Sequence, residues 1–160
     1  MFFVCDTERR KTTMNNPTAT AGVFVWIVDD DPIYTAIMQA TLQKTNVIGQ
    51  TAAFNHAWEA LEALGEKADD PDALPDLLLL DINMSVMDGW GFLEQFALCK
   101  PNLAKQPLLC LVTSSIDLGD MRKARMYPDV SEYLVKPVSV DKMRALAQQA
   151  GGLSLSGSAA

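Results

Sequence analysis

The sequence predicts an α/β fold, one five-stranded parallel sheet with helices on both faces. Two observations predict it. Short apolar runs alternate with helical patterns five times along the chain, which implies parallel strands joined by right-handed crossovers. The strongest runs are also continuously apolar, as strands buried on both faces must be.

The elements follow in order. Val23 to Val28 is an apolar run rich in β-branched residues and reads as the first strand. Pro32 opens a helix that carries Ile33, Ile37, Ala40 and Thr41 along one stripe. Val47 to Ala52 is a weaker second strand, and Asn55 is placed to cap a helix through Trp58 and Leu61 to Leu64. Gly65 to Pro75, with two prolines and four acids, reads as a surface loop. Leu77 to Leu80 is the third strand and ends abruptly at Asp81. A helix from Gly89 to Cys99 presents Phe92, Phe96 and Cys99 together, and Leu108 to Val112 is the fourth strand. Residues 117 to 126 form a helix weakened by Gly119. Tyr133 to Val135 is a short fifth strand. Ser139 then caps a last helix that buries Val140, Met143, Leu146, Ala147 and Ala150. Residues 1–22 and 151–160 lack periodicity and read as flexible tails, with Met14 a candidate start, leaving 23–150 as the folded domain.

Composition bounds the function. Of 160 residues, 49% are hydrophobic and 21% charged, the balance of a soluble globular chain. A net charge of −7 argues against a broad nucleic-acid face. No apolar run approaches the roughly 20 residues of a membrane span. The basic residues near the start follow its apolar piece, the wrong order for a signal peptide, so a cytoplasmic location is expected. Cys5, Cys99 and Cys110 show no C-x-x-C spacing, so neither a disulfide framework nor a zinc site is expected.

In such sheets ligands sit beyond the C-terminal ends of the strands. Asp29, Asp30 and Asp31 follow the first strand, Asp81 the third, Thr113 and Ser114 the fourth, and Lys136 then Pro137 the fifth. An acidic triplet is commonly a solvated turn, and a lone Thr or Lys-Pro means little. Joint appearance, each behind a strand, points to a built site. Crowded carboxylates repel unless a cation neutralises them. An all-oxygen set suits Mg²⁺, or Mn²⁺ in its place, rather than zinc. The single histidine, His56, reads as a surface residue. A carboxylate held beside a metal can attack phosphorus, and phosphoryl transfer asks mainly for alignment and charge neutralisation.

The segments V-D-D-D-P at Val28 to Pro32, L-L-L-L-D-I-N-M at Leu77 to Met84, M-D-G at Met87 to Gly89, V-T-S at Val112 to Ser114 and Y-L-V-K-P at Tyr133 to Pro137 together resemble the receiver domain of response regulators. The resemblance covers about 23–150. It implies a flavodoxin-like (βα)5 doubly wound fold and a phosphorylation switch of two-component signal transduction. Asp81 matches the phosphoacceptor, and Asp30 the acid that binds Mg²⁺ directly, with Asp29 acting mainly through water. Asn83 would offer its backbone carbonyl to the metal. Lys136 would contact the phosphoryl group, Thr113 would be the switch hydroxyl, and Tyr133 the aromatic residue coupled to it. Asp31 falls where the family is tolerant. Ser85 stands where the family usually has proline, which implies a less rigid loop. The implied partners are a histidine kinase or histidine phosphotransfer protein and an unknown downstream protein or a second copy of the chain in a homodimer, without direct nucleic-acid or membrane contact. The chain is expected to be a free-standing receiver, a stoichiometric phosphoacceptor with slow self-dephosphorylation rather than an enzyme.

Three rival readings fit the residues less well. A haloacid-dehalogenase-type phosphatase needs a second Asp two residues past the nucleophile, where this chain has Asn83. A phosphorylation-independent receiver-like interaction module typically lacks an acid or the lysine, and all are kept here. Gly89-Trp90-Gly91 lacks the third glycine of a dinucleotide fingerprint and does not directly follow a strand.

Overall fold

The computed structural model describes residues 22–158. Cys5, Met14 and nearly all of the tail expected over 1–22 lie outside the described residues, as do 159–160. The order is β1 (Val23–Val28), α1 (Pro32–Gln43), β2 (Ile48–Phe54), α2 (Ala57–Glu66), β3 (Leu77–Leu80), α3 (Gly89–Cys99), a 3-10 turn (Lys100–Asn102), β4 (Leu108–Thr113), α4 (Leu118–Ala124), β5 (Val130–Val135) and α5 (Val140–Ser158). All four strand pairings are parallel, in the order β2-β1-β3-β4-β5. The chain reverses its direction of travel across the sheet after β2, so the crevice between β1 and β3 is the switch point.

Strand side chains alternate between two cores. Val25, Ile27, Leu77, Leu79, Cys110 and Val112 face α1 and α5. Trp26, Val28, Leu78, Leu80, Leu109 and Leu111 face the layer of α2, α3 and α4. This explains why Leu77–Leu80 is apolar without interruption: all four leucines are buried, two on each face, each worth about 1.5–3 kcal/mol of burial.

Several details differ from the sequence reading. The stripe placed on α1 is not its buried face: Ile33 and Ile37 are 72% and 53% exposed, whereas Thr35, Met38 and Leu42 are buried. Pro32 opens the helix, but the packed stripe starts two residues later than the β-branched residues suggest. His56, not Asn55, is the N-cap of α2, and its side chain makes no capping bond. β2 runs to Phe54 rather than Ala52, and β5 starts at Val130 rather than Tyr133. Both are edge strands, whose half-solvated residues blur the apolar signal. The tail expected from 151 is also displaced, because α5 continues to Ser158. Gly151 is explained by a close approach, since a Cβ there would lie 3.1 Å from a Val23 methyl. The glycine that begins the expected tail thus keeps α5 close against β1. Ser139 does cap α5, its hydroxyl accepting from the Lys142 N–H at 3.1 Å. Cys99 and Cys110 are free thiols, the second fully buried, and burial pushes Cys110 up to about 12.

Candidate functional site

Every acid of the site leaves a strand at the same edge. The Asp29 N–H donates to the Phe54 carbonyl at 3.1 Å, and the Asp81 N–H to the Val28 carbonyl at 2.9 Å. Both residues are therefore tethered by ladder-like bonds at the switch point, and both are buried. Asp30 is half-buried beside them. One carboxylate oxygen from each of Asp29, Asp30 and Asp81 falls within 4.8 Å of the others, the one such cluster of potential ligands among the described residues. His56 is not part of it and instead stacks on Trp58.

Lys136 enters from the end of β5. Its Nζ lies 2.7 Å from Asp29 Oδ2 and 3.7 Å from Asp81 Oδ2. Its backbone N–H donates to the Thr113 carbonyl at 2.8 Å, and its peptide bond to Pro137 is cis. The ammonium also lies over the Tyr34 ring, 3.9 Å from the centroid, a cation–π contact that helps hold a partly desolvated charge.

One ammonium does not neutralise three carboxylates. Burial, followed by the Asp29 charge, raises Asp81 from 3.8 to about 6, against the opposing pull of Lys136 and the Asn83 N–H. Burial and the Asp29 charge likewise push the Tyr34 hydroxyl up to about 12. The site thus carries surplus negative charge that a hard cation would relieve, and its ligand atoms are all oxygens.

Thr113 is fully buried at the end of β4. Its Oγ1 accepts from the Ser115 N–H at 3.1 Å and from Asn83 Nδ2 at 3.5 Å. Asn83 also donates its backbone N–H to Asp81 Oδ1 at 3.4 Å, so it links acid and hydroxyl. Tyr133 lies outward of these groups. Its hydroxyl donates to the Ser115 carbonyl at 3.0 Å, so it reaches Thr113 through Ser115. Asp31 serves as the N-cap of α1, accepting from the Ile33 and Tyr34 N–H groups at 3.0 and 3.3 Å.

The loop after Asp81 is tightly drawn. The Gly89 N–H donates to the Ile82 carbonyl at 2.8 Å, and a Cβ at Gly89 would lie 2.7 Å from the Asp81 carbonyl oxygen. That accounts for the glycine of M-D-G. Asp88 before it caps α3 through the Gly91 N–H. Val86 sits at φ 69°, a left-handed conformation that a β-branched residue rarely adopts.

Two contacts escaped the sequence reading. Ser85 donates both its backbone N–H (3.1 Å) and its Oγ (3.2 Å) to Asp30 Oδ2, so it brings two donors to an acid. Tyr34 was legible only as the residue one helical turn past Asp30, a spacing that puts it beneath the strand ends once α1 starts at Pro32.

The response regulator receiver domain model matches residues 25–148. The DNA-binding transcriptional regulator NtrC of Escherichia coli K12 is 33% identical over 126 residues, covering 79% of this chain and 24% of NtrC. The two-component response regulator ARR11 of Arabidopsis thaliana is 29% identical over 128 residues, covering 79% of this chain and 22% of ARR11. The chain thus spans about a quarter of the length of these relatives. Among solved structures, a two-component response regulator from Cytophaga hutchinsonii superposes with a TM-score of 0.73 at 23% identity, covering 81% of this chain and 97% of that one. The receiver domain of the sensor histidine kinase PA1611 from Pseudomonas aeruginosa, with a magnesium ion coordinated in its active site cleft, gives 0.66 at 17%, covering 82% and 98%. With an acid cluster at the switch point of the same five-stranded sheet, this chain belongs to the receiver domain family of two-component response regulators, whose role is that of a phosphoryl-transfer switch.

Proposed function

We propose that Asp81 is the residue phosphorylated in this chain, with the phosphoryl group supplied by a histidine kinase or histidine phosphotransfer protein. The observation that carries this reading is the convergence of Asp29, Asp30, Asp81 and Lys136 at the switch point. An Asp81 carboxylate oxygen attacks phosphorus while the bond from phosphorus to the donor imidazole nitrogen breaks, and the leaving nitrogen keeps that electron pair. The residues fit Mg²⁺, or Mn²⁺. Asp30, Asp81 and the Asn83 backbone carbonyl would hold it, Asp29 would act mainly through water, and the cation would supply charge neutralisation at the phosphoryl oxygens. Lys136 shifts from sharing two carboxylates to pairing with a phosphoryl oxygen. Thr113 turns its hydroxyl toward another, and Tyr133 follows.

The chain acts as a stoichiometric phosphoacceptor with slow self-dephosphorylation, in the cytoplasm; no helix among the described residues is long and apolar enough to cross a membrane. Its output surface is formed by α4, β5 and α5 and engages a partner protein or a second copy of the chain. Intact-mass measurement with acetyl phosphate and Mg²⁺ tests the assignment. Wild type should gain one phosphoryl group and Asp81→Asn none. Equal labelling of the two refutes it.

A further inference from the structure

We infer that Ser85 is a positioning residue for the divalent cation, holding one oxygen of Asp30 so that the other is offered to the acid cluster. This role presupposes the cation site proposed above and concerns how this chain orients one of its ligands. Each acid of the cluster is steadied differently. Asp29 is held by Lys136 and by the Asp31 N–H at 2.9 Å. Asp81 is held by the Asn83 N–H and faces Lys136. Asp30 has neither anchor. Lys136 does not pair with it, and its hydrogen bonds among the described residues are the two from Ser85, at 3.1 and 3.2 Å.

Both donors land on the same oxygen, Oδ2. An ionised carboxylate oxygen has two lone-pair sites, so Oδ2 is filled and Oδ1 is the oxygen left for a cation. A carboxylate so gripped loses its freedom to rotate away before binding, and ligating carboxylates are characteristically hydrogen-bonded in this manner. The donor is itself held. The Met87 N–H donates to the Ser85 carbonyl at 2.9 Å, closing a tight turn about Val86 at φ 69° on the C-terminal side of Ser85. Proline at this position has neither an N–H nor a hydroxyl. The grip is therefore a property of the serine at this position, whose N–H and hydroxyl both reach Asp30.

Calorimetric titration with Mg²⁺ of wild type, Ser85→Ala, Ser85→Thr and Ser85→Pro tests this, beside melting curves in EDTA. Ser85→Ala, which loses one exposed donor, should raise the Mg²⁺ dissociation constant roughly 3- to 10-fold. Ser85→Pro, which loses both, should raise it further. Ser85→Thr should restore binding to within roughly twofold of wild type, since it keeps both donors. Metal-free melting temperatures of the alanine and threonine variants should match wild type. Unchanged or tighter Mg²⁺ binding by both Ser85→Ala and Ser85→Pro overturns the role of Ser85 while leaving the cation site standing. Absence of Mg²⁺ binding to wild type overturns the site and the role together.

Discussion

Replacing the proposed phosphoacceptor should stabilise the metal-free protein. Asp81 is raised from 3.8 to about 6 by burial and by the Asp29 charge, so its ionised form is disfavoured in the folded state. A shift of roughly two units corresponds to about 3 kcal/mol, and partial solvent screening at the mouth of the site reduces this to about 1.5 kcal/mol. The sign follows from linkage: the folded state binds the proton more tightly, so stability falls as pH rises from about 4 to about 6, and the full cost is present above that. Asp81→Asn removes the charge, keeps an oxygen for the Asn83 N–H, and leaves Lys136 with its nearer partner Asp29 at 2.7 Å. In EDTA at pH 8 the variant should therefore melt about 3–6 °C above wild type, and at about pH 4 the difference should vanish. Saturating Mg²⁺ should reverse the order at pH 8, because wild type gains about 2.7 kcal/mol at a hundredfold excess over its dissociation constant and the variant less. A variant that melts below wild type in EDTA at pH 8 would show that attraction to Lys136 outweighs burial and repulsion.

Gly89→Ala should cost about 1–3 kcal/mol, because its Cβ would meet the Asp81 carbonyl oxygen and the Ile82 Cα at 2.7 and 2.8 Å, both backbone atoms. Gly91→Ala, which meets the side-chain Cγ of Met87 at 3.1 Å, should be far milder, and urea melts of the two compare them directly. Asp30→Ala should abolish the Mg²⁺-induced rise in melting temperature while leaving the metal-free protein folded, as differential scanning fluorimetry with and without Mg²⁺ can establish.

The central strands and the strand-end acids were legible because both obey short-range rules. Leu77–Leu80 must be apolar since each leucine meets a core, and an acid directly after such a run can only stand at the sheet edge. The edge strands β2 and β5 were misjudged at their ends because half-solvated positions carry no clean pattern. The stripe on α1 was misread because β-branched Ile33 and Ile37 look like core. The buried positions are set instead by how α1 lies against α5 and β2, and Thr35 among them is polar. Ser85 and Tyr34 carried weaker signals, for their importance lies in contacts across 55 residues, from Ser85 to Asp30, and 102 residues, from Tyr34 to Lys136. Such contacts depend on tertiary placement and leave no periodic trace.

The geometry around Ser115 links the hydroxyl and the ring of the proposed switch. Ser115 gives its N–H to Thr113 and its carbonyl to the Tyr133 hydroxyl, so one residue secures both the buried hydroxyl and the outward ring. Turning Thr113 toward a phosphoryl oxygen forfeits a neutral bond worth about 0.5–1.5 kcal/mol and gains one to a charged acceptor worth about 1.5–3 kcal/mol. The margin is about 1 kcal/mol, or about fivefold, the lower end of the range typical of coupling between sites. In the proposed switch Lys136 would add to it, because its backbone N–H is bonded to the Thr113 carbonyl while its ammonium would be drawn to the same phosphoryl group. A bias of this size shifts a population rather than locking a state. The surface of α4, β5 and α5 would then sample both forms with or without the phosphoryl group, and a partner that binds one form better supplies the remainder of the free energy.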